Sequence, residues 1–246
     1  MTGWLNHNIV RFLLIVMFLP SAGCNQPAST LALVMLSKGA NDTLPGFAPR
    51  TDEASSCPHD TFPVSRYSDI VQKYSDRYNV DWTLVVAVIR EESSFRANVV
   101  SRKGAYGLMQ LMPRTRSELV RKLGLKDARN PPDNIRGGIF QLMTLYRIFR
   151  YGTADDRISL TLAAYNAGLG RVLDAMAIAA YLGYDPHSWG GVRRSLPMLA
   201  ERYKSLHQYI WKSGRPTFGY MRDCSETVRY VEKVKQDYND YALTLR

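Results

Sequence analysis

Asp81-Trp82-Thr83-Leu84-Val85-Val86-Ala87-Val88-Ile89-Arg90-Glu91-Glu92-Ser93-Ser94-Phe95 is the stretch on which the reading of this chain turns. Asp81 is a good N-cap, and the residues behind it predict a helix through Leu84, Val85, Val88 and Ile89 to about Phe95. The six apolar residues from Leu84 to Ile89 lead directly into two adjacent carboxylates, with Phe95 three positions beyond the second. Apolar surroundings disfavour the charged form of a carboxyl group and raise its pKa. Glu92 is therefore a candidate for an acid that keeps its proton near neutral pH. Glu91 is its rival. Neighbouring helix positions point about 100° apart, so the two side chains do not project equally into one cleft. Periodicity does not separate them, because the apolar run offers candidates for either face.

Working outward, the pattern turns helical from residue 65. Tyr67, Ile70, Val71, Tyr74 and Tyr78 recur at three- and four-residue steps, one apolar face of an amphipathic helix. Arg96 to Met112 is rich in glycine and polar residues and reads as loop, and Pro113 suits the first turn of a helix through Leu119 and Leu123. Further helices are expected at about 133–150, 156–167, 169–182, 197–211 and 225–243, the last capped by Ser225. Strand-like alternation is scarce, which makes the domain mainly α.

Upstream of residue 64 the character changes. Arg11 precedes the apolar run Phe12 to Leu19, and the small residues Ser21-Ala22-Gly23 precede Cys24. That run is too short for a stable membrane span and fits a cleaved signal peptide over residues 1–23. Ala22-Gly23-Cys24 resembles a bacterial lipobox, which makes Cys24 a candidate lipidation site, although Ser21 stands where a Leu-like residue is usual. Residues 24–63, with Pro27, Pro45, Pro49, Pro58 and Pro63, read as the lipobox cysteine and a flexible linker. Residues 64–246 remain for a single domain, long enough for a real core. If Cys24 carries lipid, Cys57 and Cys224 are left as an even pair in an oxidising compartment. A Cys57–Cys224 disulfide and two free thiols are both compatible with that count.

A hydrophobic share of 46% and a charged share of 22% are ordinary for a globular protein. The formal charge of +10 favours an anionic partner: nucleic acid, an anionic membrane surface or a carboxylate-bearing cell wall. Export makes nucleic acid a poor fit. His7, His59, His187 and His207 are isolated, and no HExxH or CxxC spacing suggests a metal. There is no GxSxG elbow and no glycine loop for phosphate, so neither a metal nor an organic cofactor is expected.

Four pieces occur in order through the helical region. Arg90-Glu91-Glu92-Ser93 ends the apolar helix, and Ser101-Arg102-Lys103-Gly104-Ala105-Tyr106-Gly107-Leu108-Met109-Gln110-Leu111-Met112-Pro113 follows in the loop. Ala163-Ala164-Tyr165-Asn166-Ala167-Gly168 ends a later helix, and Glu226-Thr227-Val228-Arg229-Tyr230-Val231 opens the last. Together they resemble the signature of the soluble-type (family 1) lytic transglycosylases, over about residues 66–241. A second layer, from Leu173-Asp174-Ala175 through Asp185-Pro186-His187-Ser188-Trp189 to Phe218-Gly219-Tyr220-Met221-Arg222, is similar to the catalytic module of the membrane-bound lytic transglycosylase F family. That family also carries a solute-binding-protein-like domain before its catalytic one, for which residues 25–63 are far too few.

The resemblance implies a lysozyme-like (goose-type) catalytic domain that cleaves the bond from N-acetylmuramic acid to N-acetylglucosamine in peptidoglycan. Its Glu-Ser pair selects Glu92 over Glu91. In such enzymes one Glu protonates the leaving oxygen, then takes the proton from the muramic acid 6-hydroxyl, closing a 1,6-anhydro ring without water. Most glycosidases need a second carboxylate; this family dispenses with it. Substrate contacts are implied for Ser93, Ser101, Gln110, Met112, Ala164, Tyr165, Asn166 and Tyr230. Ser101 and Gln110 are neutral hydrogen-bonding groups suited to sugar substituents, and Met112 offers a soft apolar wall. Met109 is either core or cleft. Gly104 and Gly107 serve loop geometry, and Glu226 and Thr227 begin and brace the last helix. The basic residues Arg114, Arg116, Arg121, Lys122, Lys126 and Arg129 read as a solvated face, useful against an anionic wall.

Two other readings stand beside this one. A muramidase-type hydrolase on the same fold has Asp127, Asp133, Asp155 and Asp156 available as a second carboxylate. A non-catalytic wall-binding protein would bind sacculi without turnover. The expected setting is a monomer, exported to the periplasm and anchored as a lipoprotein. Asn25 after the cysteine, in place of an inner-membrane Asp, points to the outer membrane.

Overall fold

The computed structural model describes residues 66–244. The expected signal peptide, the linker, Cys24 and Cys57 lie outside the described residues. Among the described residues nine helices follow in order: α1 Ser68–Tyr78, α2 Trp82–Ser93, α3 Pro113–Leu123, α4 Pro131–Ile148, α5 Ala154–Ala167, α6 Leu169–Tyr181, α7 Trp189–Ser195, α8 Lys204–Ile210 and α9 Ser225–Thr244. The described residues contain no strand, only two isolated bridges, Val100 with Tyr106 and Tyr106 with Leu111. The mainly α class is as the sequence suggested. No helix of the described residues is long and apolar enough to cross a membrane.

The helices fall into two compact units, 66–167 with 225–244, and 168–224. In the larger unit α9 packs along α2 and α5, while α1 packs on α4 and α2, and α4 on α5. The reason is the apolar run: every residue from Leu84 to Ile89 is buried, at most 1% exposed. A helix apolar on all sides has to be enclosed by others. Each large aliphatic side chain so buried contributes on the order of 1.5–3 kcal/mol. Asp81 caps α2 as expected, accepting from the Thr83 amide at 2.9 Å and its hydroxyl at 2.6 Å. The helix stops at Ser94, which turns left-handed with φ 49°. α3 begins with Pro113 in its first turn and ends at left-handed Gly124.

The smaller unit departs from expectation in two places. First, the helix expected over 197–211 is two 3-10 turns, Leu196–Leu199 and Glu201–Tyr203, followed by α8. Ala200 adopts extended backbone (ψ 148°) between the turns and breaks the helix. Second, α7 was not expected, and it contains Gly190 and Gly191, which are poor helix formers. Ser188 caps it, its Oγ accepting from the Gly191 amide at 3.0 Å. A Cβ at Gly191 would collide with the Asp185 carbonyl, so a larger residue does not fit. Within this unit Asp174, buried on α6, accepts backbone N–H bonds from Phe218 at 2.7 Å and Thr217 at 3.2 Å, fixing the 217–218 segment. His207 of α8 is buried between the rings of Trp211 and Tyr220, with Nε2 2.7 Å from the Met198 carbonyl oxygen.

Candidate active site

The larger unit collects the motif residues around the C-terminal end of α2. From α9, Tyr230 donates its phenol hydrogen to Glu92 Oε1 at 2.7 Å. One turn earlier Thr227 donates to Asn166 Oδ1, at the end of α5, at 2.9 Å. One turn later Lys233 pairs with Glu91 at 2.8 Å. Beyond it Asp237 meets Arg90 at 3.6 Å, and the Tyr241 hydroxyl accepts from Arg90 at 2.7 Å. Steps of three and four place all five α9 residues on one helix face. That face sorts the two carboxylates the sequence left tied. Glu91 faces an exposed lysine, while Glu92 faces a buried tyrosine.

Burial dominates the electrostatics of Glu92 and pushes its pKa up to about 7. The Tyr230 hydrogen bond opposes the rise, and the negative charges of Glu91 and Glu226 add to it. Burial, with the Glu92 charge behind it, also holds the phenols of Tyr165 and Tyr230 well above their ordinary range. Both therefore stay neutral donors.

The loop from Val99 to Met112 is braced from two helices. Asn134 of α4, fully buried, accepts the Met109 amide at 2.9 Å and donates to the Tyr106 and Ala128 carbonyls, each at 3.0 Å. Gly107 lies at φ 86°, and a Cβ there would collide with Asn134. From α5, Tyr165 donates to the Met109 carbonyl at 2.8 Å, while its ring packs against the cluster of Leu111, Leu119, Leu125 and Ala128. Met109 itself is fully buried, in close contact with Gly138 of α4. Of its two readings, core is the one observed.

The remaining expected site residues divide into exposed and structurally engaged groups. Met112 is 42% exposed at the end of the loop, open to a ligand. Gln110, strained at φ 44°, donates its amide to the Val99 and Gly107 carbonyls at 3.0 and 2.9 Å. Ser101 Oγ accepts the Ala105 amide at 3.0 Å, and Ser93 Oγ donates to the Ile89 carbonyl at 3.1 Å. Ala164 is buried in the last turn but one of α5. Gln110 and Ser101 thus hold the backbone of their own loop, and Ser93 that of the end of α2. Two brace residues were missed in their roles. Asn134 was not singled out at all, and its spacing of four from the cap Asn130 places it within the first turn of α4. Thr227 was assigned to the helix start, but its hydroxyl fixes Asn166. Cys224 is half-buried in the smaller unit, and the other member of the expected pair, Cys57, lies outside the described residues.

Residues 69–185 match the family described as the transglycosylase SLT domain. The chain is 34% identical over 179 residues to a membrane-bound lytic murein transglycosylase F of Desulfosudis oleivorans, covering 72% of this chain and 36% of the relative. A relative of the same name from Cellvibrio japonicus is 33% identical over 171 residues, covering 69% and 32%. The chain therefore spans about a third of the length of these curated relatives. Among solved structures, the 70 kDa soluble lytic transglycosylase of Escherichia coli is 27% identical with a TM-score of 0.49, covering 73% of this chain and 24% of that one.

Proposed function

We propose that this chain, whose residues 69–185 match the transglycosylase SLT domain family, is a lysozyme-like lytic transglycosylase of peptidoglycan, with Glu92 as its acid and base. The single observation that carries the reading is Glu92 itself, a buried carboxyl with a pKa raised to about 7 and one oxygen held by Tyr230. At neutral pH such a group is present in comparable amounts as acid and as carboxylate, so it serves both halves of the reaction.

In the first half Glu92 gives its proton to the glycosidic oxygen as positive charge grows at the muramic acid anomeric carbon. Tyr230 holds Oε1 and keeps Oε2 turned to the scissile bond. In the second half the carboxylate takes the proton of the 6-hydroxyl, whose oxygen closes onto the anomeric carbon. One bond breaks, one forms, and the proton count of Glu92 is restored. No water enters. The braced loop supplies the wall of the groove through Met112, with Ser93, Ser101, Gln110 and Ala164 lining or shaping it. Asn166, its amide oxygen held by Thr227, turns its amide hydrogens toward the substrate acetamido group.

The carboxylates available for a hydrolase are engaged elsewhere, which supports the non-hydrolytic reading. Asp133 accepts the amides of Lys126 and Asp127, Asp127 that of Arg129, Asp155 pairs with Lys235, and Asp156 bonds Thr153. The names of the relatives support an envelope location. An exported lipoprotein anchored through Cys24, with the outer membrane as its site, extends that reading.

Digestion of purified sacculi followed by mass spectrometry tests the proposal. The expected product carries a 1,6-anhydromuramoyl end, lighter by one water than the hydrolytic one. Glu92→Gln is expected to abolish turnover while sacculus binding persists. A hydrolytic product, or an active Glu92→Gln protein, would overturn the assignment.

A further inference from the structure

We propose that the basic surface around α3 is a docking site for the carboxylates of the peptide stems on peptidoglycan, so that the protein engages peptide-bearing strands in preference to bare glycan. This rests on the proposed function above and names the part of the wall that the surface recognises.

The charge of the chain is concentrated there. Residues 101–136 hold nine basic residues and three acidic ones, a net +6 of the whole chain's +10. The three acids are engaged by local partners. Glu118 meets Arg114 at 3.3 Å, Asp127 accepts the Arg129 amide, and Asp133 accepts the amides of Lys126 and Asp127 together with the Asn130 side chain. Arg102, Lys103, Arg121, Lys126 and Arg129 are exposed, and no carboxylate among the described residues pairs with them. An unbalanced set of cations of this density raises the local concentration of anions.

Its placement ties it to the reaction. α3 buries Leu119, with Val120 and Leu123 on the cluster beneath, so Arg114 and Arg121, seven residues apart, share the opposite exposed face. At its start the Gly104 turn lies against Pro113, which brings the Arg102-Lys103 corner to the head of the helix. Met112 and Gln110 immediately precede Pro113. The cations therefore begin beside the loop that walls the groove and continue along α3, whose 11 residues extend about 16 Å. A glycan strand in the groove would carry its stem peptides past this face. The stems bear carboxylates, while the sugar rings present hydroxyl and acetamido groups that a guanidinium has no charge to match.

Co-sedimentation of the Glu92→Gln protein with sacculi tests this without turnover. Three preparations are compared: intact, amidase-stripped of stems with the lactyl carboxylates so freed capped as methylamides, and intact with carboxylates capped as methylamides. Binding to intact sacculi is expected to exceed that to either treated form by about tenfold at low salt, and to converge as salt is raised. Arg102→Gln, Lys103→Gln and Arg121→Gln together should remove that preference. The control set Lys204→Gln, Arg215→Gln and Arg222→Gln removes as much exposed charge from the smaller unit and should keep it. Equal binding to all three preparations, an unaltered preference in the first triple variant, or an equal loss in both triple variants would overturn the proposal. So would a stronger dependence of the same residues on anionic phospholipid vesicles than on sacculi. Digestion by the unaltered protein is read separately: stem-dependent binding without turnover would leave this inference standing and remove the catalytic reading.

Discussion

Glu92 in the larger unit and Asp174 in the smaller are both carboxylates whose pKa burial raises, and they are held differently. Asp174 accepts two backbone N–H bonds from the 217–218 segment, and burial raises its pKa to about 6 against the pull of those donors and of His207. Glu92 receives one phenol hydrogen, and burial carries it to about 7. Burial alone is thus no mark of a reactive acid. Asp174 has both oxygens engaged in organising a segment of chain, whereas Glu92 has one, leaving the other for the chemistry proposed above.

Replacing Glu92 by its neutral amide and truncating Asp174 therefore move stability in opposite directions. An unfolded Glu releases its proton near its ordinary value of 4.5, while folded Glu92 holds it to about 7. Between those values the folded state binds more protons, so its stability falls as pH rises and the loss is complete above pH 7. Removing the charge by Glu92→Gln should raise the unfolding free energy at pH 8 by as much as about 3 kcal/mol, with little change at pH 4. Chemical denaturation at the two pH values reads this. Asp174→Ala is expected to do the reverse at pH 4, where the raised pKa of that carboxyl contributes little, lowering the unfolding free energy by about 2 kcal/mol by stranding two amide hydrogens. A gain in both variants, or a loss in both, would erase the distinction. The smallest effect concerns Tyr230. Its hydrogen bond favours the charged carboxylate, so Tyr230→Phe should raise the Glu92 pKa and move the alkaline limb of the pH–rate profile up by about one pH unit. An unmoved limb would show that the phenol does not act on the acid.

Much of the larger unit was legible because its signals are local. The Asp81 cap, the unbroken Leu84–Ile89 run and Pro113 each carry their structural meaning within a few residues. The tie between Glu91 and Glu92 was not broken by such signals. It needed α9, whose Tyr230 and Lys233 are more than 130 residues away in the chain. The resemblance selected Glu92, and the pairing of Glu91 with Lys233 supplies the physical reason. Asn134 was invisible for the same cause, since its amide matters only once α4 lies under the loop. Ser101 and Gln110 read as sugar-binding groups because an amide and a hydroxyl suit either a ligand or a backbone, and residue type does not distinguish them. In the smaller unit the adjacent glycines of α7 have low helix propensity, and the close approach of the Asp185 carbonyl explains Gly191. The break at Ala200 likewise has no strong local marker beyond Pro197.

The account depends on Glu92 keeping its proton near neutral pH. Its titration, followed by carbon-13 NMR of the side-chain carboxyl in protein labelled at glutamate and assigned by comparison with Glu92→Gln, measures that directly. A midpoint close to pH 7 is expected. A midpoint near 4.5, that of an ordinary solvated glutamate, would contradict it.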